Sequence, residues 1–229
     1  MRRKSTLLIR MVALPLFLAV LSSCNSPRTS SELPTIDVGS NYDDSLITVD
    51  PCAPPCWQGI VPYESTRQQA MSSLTELSFV DADTIESQPF SGGEQIFWGS
   101  LSTSSDEHIG AIAVNTDGQV ESIFTAVEYQ LEIQQLVGVY GEPDIAYVRP
   151  WPPDIAPPDY SIELYWFEYG LVSYSEIEKG QSVEGNLLVS GVTYLMPVST
   201  LQEFLEVFPN RFEQEFIQDW QGFDSIKVP

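Results

Sequence analysis

With 229 residues, 43% of them hydrophobic and 11% aromatic, the chain can bury the core of one domain or of two small fused halves, which excludes a disordered acidic tail. Its 32 acidic residues against ten Lys and Arg leave a formal charge of −22, a field that repels nucleic acid and anionic lipid and excludes nucleic-acid binding. A cationic protein, a divalent ion or a cationic wall polymer is compatible with that sign, and a solvated surface is its plainest reading.

The chain starts with Arg2, Arg3, Lys4 and Arg10 and no acid in its first ten residues, followed by an unbroken apolar run over 11–21. These are the charged and hydrophobic parts of a signal peptide, and the run is about half as long as a bilayer-crossing helix. Leu21-Ser22-Ser23-Cys24 follows at once and resembles the lipobox of bacterial lipoproteins. That resemblance implies cleavage before Cys24, diacylglyceryl transfer to its sulfur, acylation of its amine and membrane anchoring on the extracytoplasmic face. Removal of residues 1–23 takes four basic side chains with it and moves the formal charge from −22 to −26. Residues 24–50, rich in Ser, Thr, Pro, Asn and Asp, read as a lipidated flexible tether, with the folded domain over 51–229.

Three cysteines are an odd number for an exported chain. Lipidation of Cys24 leaves Cys52 and Cys56 in Pro51-Cys52-Ala53-Pro54-Pro55-Cys56, where an oxidising compartment and short spacing favour a disulfide over a free thiol or a metal site.

Ser65-Thr66-Arg67-Gln68 opens the first helix as a capping box with Ser65 as cap, followed by Ala70, Leu74 and Leu77 on one face. Strands are expected at 95–100, 109–114 and 119–127, the last two turning at Asn115-Thr116-Asp117-Gly118, with Asp81 and Asp83 in a surface loop before them. A second helix over 131–140 stops at Gly141 and Pro143. A strand at 145–148 then leads into 149–160, a semi-rigid loop with five prolines. Strands 161–167, apolar on both faces, and 171–177 form a hairpin, and 186–196 adds a strand bulged at Gly191. Ser199-Thr200-Leu201-Gln202 opens a third helix with Leu201, Phe204, Leu205 and Phe208 on its apolar stripe, and 212–222 adds an amphipathic turn or two. The order predicts an α+β fold, a mainly antiparallel sheet with about three packing helices. It also admits two fused α+β repeats, 51–128 and 129–229.

Chemistry is sparse. His108, the lone histidine, lies in a polar stretch without a nucleophile pattern, and no G-x-S-x-G is present. Asn115–Gly118 holds half of a calcium loop without its closing Glu, and a hairpin turn is the better reading. No metal site, cofactor or catalytic residue is assigned. The most suggestive feature is the proline-rich loop, where Trp151 and Tyr160 form a candidate binding loop for sugar or protein, with Trp151 as cover for the sheet as the other reading.

Gly59-Ile60-Val61-Pro62-Tyr63-Glu64-Ser65-Thr66 resembles the helix-opening segment of envelope lipoproteins of the BamE/OmlA type, and Val139-Tyr140-Gly141-Glu142-Pro143 resembles their helix end. Two such α+β units in tandem would resemble the layout of β-lactamase inhibitor proteins. Cys56-Trp57-Gln58-Gly59-Ile60 resembles the opening of exported lipoproteins of Chloroflexi type. The expected function is a membrane-anchored, noncatalytic binding or envelope-associated module whose partners are the membrane, through its lipid, and an envelope protein or wall polymer. The alternatives are a cell-surface hydrolase using paired carboxylates on carbohydrate, and an inhibitor of an external enzyme.

Overall fold

The computed structural model describes residues 42–101, 108–151, 160–209 and 211–228. Cys24 and most of the loop after Trp151 lie outside them.

Packed structure begins upstream of residue 51, the boundary that composition places. A short helix, α1 (Ser45–Thr48), buries Leu46 in the main core. It is clasped from three sides. The Asp43 carboxylate accepts bonds from the Ser45 amide at 3.1 Å, the Gln58 side chain at 2.9 Å and the Trp57 indole, and the Tyr140 hydroxyl donates to the Leu46 carbonyl. The polar composition that reads as a tether hides one buried leucine and one fully used carboxylate. Just beyond, Cys52 and Cys56 are bonded with their Cα atoms 5.7 Å apart.

Helix α2 (Arg67–Glu76) starts one residue later than the Ser65 box implies. Thr66 is the cap: its hydroxyl accepts from the Gln69 amide, and the Gln69 side chain accepts from the Thr66 amide at 2.8 Å. Ser65 is otherwise engaged, accepting from the Val61 amide at 2.9 Å to close the preceding turn. The helix then buries Ala70 and Leu74. The same one-residue displacement recurs at α4 (Leu201–Val207), where Thr200 caps and accepts from the Glu203 amide at 3.2 Å. Between them α3 (Ile133–Tyr140) ends at Gly141, whose φ of +80° is easy for glycine alone.

Among the described residues nine antiparallel strands form one sheet: β1 (Val80–Phe90), β2 (Gly93–Ser100), β3 (Gly110–Asn115), β4 (Val120–Ala126), β5 (Ile145–Pro150), β6 (Tyr160–Trp166), β7 (Leu171–Ile177), β8 (Val189–Tyr194) and β9 (Ile217–Asp219). Their spatial order is β1-β2-β3-β4-β8-β7-β6-β5-β9, so the class is α+β with the sheet dominant. Each of two four-stranded runs follows a helix, and the runs abut through β4 and β8, where Ile123 pairs with Tyr194 and Phe124 with Thr193.

Two elements correct the sequence reading. Asp81 and Asp83 sit in β1, not in a loop. This strand is polar because it is the sheet's edge, and its register shifts between Asp81 and Glu86, where the Thr84 hydroxyl takes the Gly99 amide at 2.7 Å. Acidic side chains, an irregular ladder and Pro89 all discourage pairing with another chain. At the opposite edge, the expected amphipathic turns resolve into a 3-10 turn (Gln214–Phe216) and β9, which pairs with Ile145–Tyr147.

Alternation along the strands divides the side chains between two faces. One face carries the main core under α2 and α3, including Trp57 stacked on Trp98 at 5.2 Å, Ile112, Ile123, Leu164 and Trp166. Trp98 lies so close to β3 that a Cβ on Gly110 would meet its indole at 1.9 Å.

Candidate binding face

The other face is defined by a single cross-strand row. Glu86 pairs with Phe97, Phe97 with Ala111, Ala111 with Phe124, Phe124 with Thr193, Thr193 with Val172, Val172 with Tyr165 and Tyr165 with Ile145. Direct cross-strand partners project to the same side, so these eight residues cross the sheet as one stripe.

Half of the stripe is roofed. Helix α4 and the segment after it lay Phe204, Phe208, Phe212 and Phe216 over Tyr147, Tyr165 and Val172, with Phe204 5.3 Å from the Tyr165 ring and 5.1 Å from Phe212. The other half has no such cover among the described residues. Phe124 is 38% exposed, Phe97 and Ala111 are half-buried, and Tyr165 is 1% exposed. The Phe124 ring extends over Gly191, where a Cβ would stand 2.8 Å from it, and meets Tyr174 edge-on at 6.0 Å. At the open end His108 lies 5.3 Å from the Phe97 ring, with its Nε2 3.3 Å from the Glu86 carboxylate.

Where roofed and open halves meet, polar groups replace the aromatic packing. Arg211 donates from Nε to the Tyr165 hydroxyl at 3.1 Å and from Nη2 to the Tyr174 hydroxyl. Glu163, 6% exposed, accepts from the Tyr165 hydroxyl and lies 3.7 Å from Arg211. Burial holds the Tyr165 phenol well above its ordinary range and raises Tyr174 too, so both stay protonated and can serve as acceptors and donors. The pairing of Glu163 with Arg211 is what makes a buried carboxylate tolerable here.

Tyr160 and Asn115 lie away from this stripe. Tyr160 shares its side of β6 with Ile162 and Leu164, packs against the main core and faces away from this stripe. Trp151 is half-buried, and its indole N–H is shielded from solvent with no hydrogen-bond partner among the described residues. Asn115 spends its side-chain oxygen on the turn, accepting from the Asp117 and Gln119 amides at 3.0 and 2.9 Å, so it is a hairpin residue. Among the described residues no three His, Cys, Asp or Glu side chains converge as metal ligands.

No family model, curated protein or solved structure matches the chain. Its function is therefore read from the face itself. Phe97, Ala111 and Phe124 escaped sequence reasoning because they sit on three strands, each at a position whose parity marks it as solvent-facing. The available signal was an apolar side chain at the outward position of three successive strands.

Proposed function

We propose that this chain is a lipid-anchored, extracytoplasmic, noncatalytic module that docks a protein partner on the open half of its sheet. The observation that carries the reading is the one-sided roof: among the described residues α4 covers Val172 and Tyr165, and no such element covers half-buried Phe97 and Ala111 or exposed Phe124 of the same row. Contiguous uncovered apolar side chains on a soluble face mark an interaction site.

The packing of α4 also supports a reading of the occupant's chemistry. Phe204 and its neighbours illustrate what fits this type of surface, an amphipathic segment with aromatic knobs. Glu86 at the rim and the overall charge of −22 favour a partner with basic flanks. The two helix-plus-four-strand runs abutting through β4 and β8 support the reading of two fused α+β repeats and, with it, an inhibitor-like role. The carbohydrate-hydrolase alternative asks for two facing carboxylates, whereas Glu163 faces a guanidinium and a phenol.

A photocrosslinking residue placed at Phe124 or Ala111 on intact cells should give an adduct of one discrete mass, absent when the probe sits at Glu76 on the exposed side of α2. The same adduct pattern from all three positions overturns the docking face. For the anchor, Cys24→Ser should abolish fatty-acid labelling and release the chain from membranes.

A further inference from the structure

We infer that the depression between β5, β7 and the segment following α4 is a binding site for a small monocarboxylate with an apolar body. It encloses about 550 Å³ and is lined by Arg149, Glu163, Tyr174, Phe208, Pro209 and Arg211. Its ligand goes beyond the docking reading, because Phe97, Ala111 and Phe124 do not line it.

The distribution of positive charge is the first reason. The described residues hold five Lys and Arg, namely Arg67, Arg149, Lys179, Arg211 and Lys227, in a chain with 32 acids, and two of the five line this one depression. Arg67 is taken by Glu94. Arg149 is exposed at the end of β5 and makes no ion pair among the described residues.

Hydrogen-bond capacity is the second. The Tyr174 hydroxyl accepts from Arg211 and from Thr193 Oγ1, at 3.0 Å for the latter, which leaves its own proton to donate. The Arg211 guanidinium is fixed by two phenol oxygens and remains 29% exposed, so further N–H groups face the depression already oriented. Glu163 uses Oε2 on the Tyr165 hydroxyl and, at 3.7 Å, on Arg211, which leaves its Oε1 as one acceptor against the Tyr174 proton and the remaining N–H groups of Arg149 and Arg211. Donors are thus in surplus, and an acceptor completes the set.

Charge and shape narrow the class. Two guanidinium groups against one carboxylate leave a single net positive charge, which matches a monocarboxylate better than a phosphate dianion. The planar fork of Arg149 suits the two oxygens of a carboxylate. Phe208 and Pro209 supply an apolar wall for the rest of the ligand.

The test titrates the full chain, in detergent, with N-acetyl-phenylalanine, N-acetyl-phenylalaninamide and inorganic phosphate, following amide resonances by NMR. The acid should bind with shifts at Tyr174 and Arg211, and the amide and phosphate about tenfold more weakly or less. Arg149→Gln, an exposed substitution that should leave the melting temperature unchanged, should weaken the acid by about tenfold, and Tyr174→Phe should weaken it by a smaller factor. Equal binding of acid and amide, phosphate binding as tight as the acid, an unaltered affinity in Arg149→Gln, or no acid binding up to about 50 mM each overturns the site.

Discussion

Phe97 and Tyr165 occupy the same cross-strand row, each on the third strand out from the β4–β8 junction, yet Phe97 is half-buried and Tyr165 is 1% exposed. The difference is the roof of α4. Phe204 touches the rings of Tyr165, Phe167, Phe208 and Phe212 at centroid distances of 4.8 to 5.3 Å. Phe204→Ala should therefore cost about 3–5 kcal/mol in urea unfolding, as a fully packed aromatic does, and Phe97→Ala far less. Equal costs would mean that the open half is already covered.

The two threonine caps can be separated from the serines beside them at α4. Thr200 uses its hydroxyl on the Glu203 amide, whereas Ser199 uses its backbone N–H, which donates to the Glu203 carboxylate at 2.7 Å. Thr200→Ala should cost about 1 kcal/mol and Ser199→Ala close to nothing. A reversed order in denaturant midpoints would restore Ser199 as the cap.

Acid stability should carry the signature of Glu94. Hydrogen bonds from Arg67, and secondarily from Ser87, hold its carboxyl at about 2, below the ordinary carboxylate range. A depressed folded-state value stabilises the fold above the unfolded value, near pH 4.5, and that contribution disappears as pH falls towards 2. Both side chains are partly exposed, so solvent screening limits it to under about 1 kcal/mol. Arg67→Gln should raise the Glu94 value in an NMR titration and flatten the stability loss between pH 4.5 and 2.

Gly110 should tolerate no side chain. Gly110→Ala would place its methyl 1.9 Å from the buried Trp98 indole and should cost about 1–3 kcal/mol by overpacking. A thermal midpoint equal to that of the parent would show that Trp98 can move aside.

The parts of the fold legible in the sequence are those fixed by local chemistry. Gly141 and Pro143 end α3 where expected, and Asn115 and Gly118 turn the β3–β4 hairpin. Local sequence allows either residue of each Ser-Thr pair as cap, because two acceptable N3 residues follow; the demand of the Val61 amide on Ser65 decides the first, and the Glu203 amide bonding to Thr200 decides the second. Strand β1 was not legible, since an edge strand exposed on most of its length shows no hydrophobic alternation. The site was the least legible part. Phe97, Ala111 and Phe124 become one surface only through register, and Glu163 meets Arg211 across 48 residues of chain. Trp151 and Tyr160 drew attention by composition, but parity along β6 turns Tyr160 to the other face.

The β4–β8 pairing also orders the assembly of the chain. Hairpins such as β3–β4 and β6–β7 close over a few residues, whereas Ile123 must wait for Tyr194, 71 residues later. Until β8 is made, the growing chain carries two unfinished ladders, one on β4 and one on β7, each a template for mispairing. One six-residue strand seals both at once. A chain that stops short of residue 189 therefore loses the closure of both meanders together, and its hazard is aggregation rather than a missing tail.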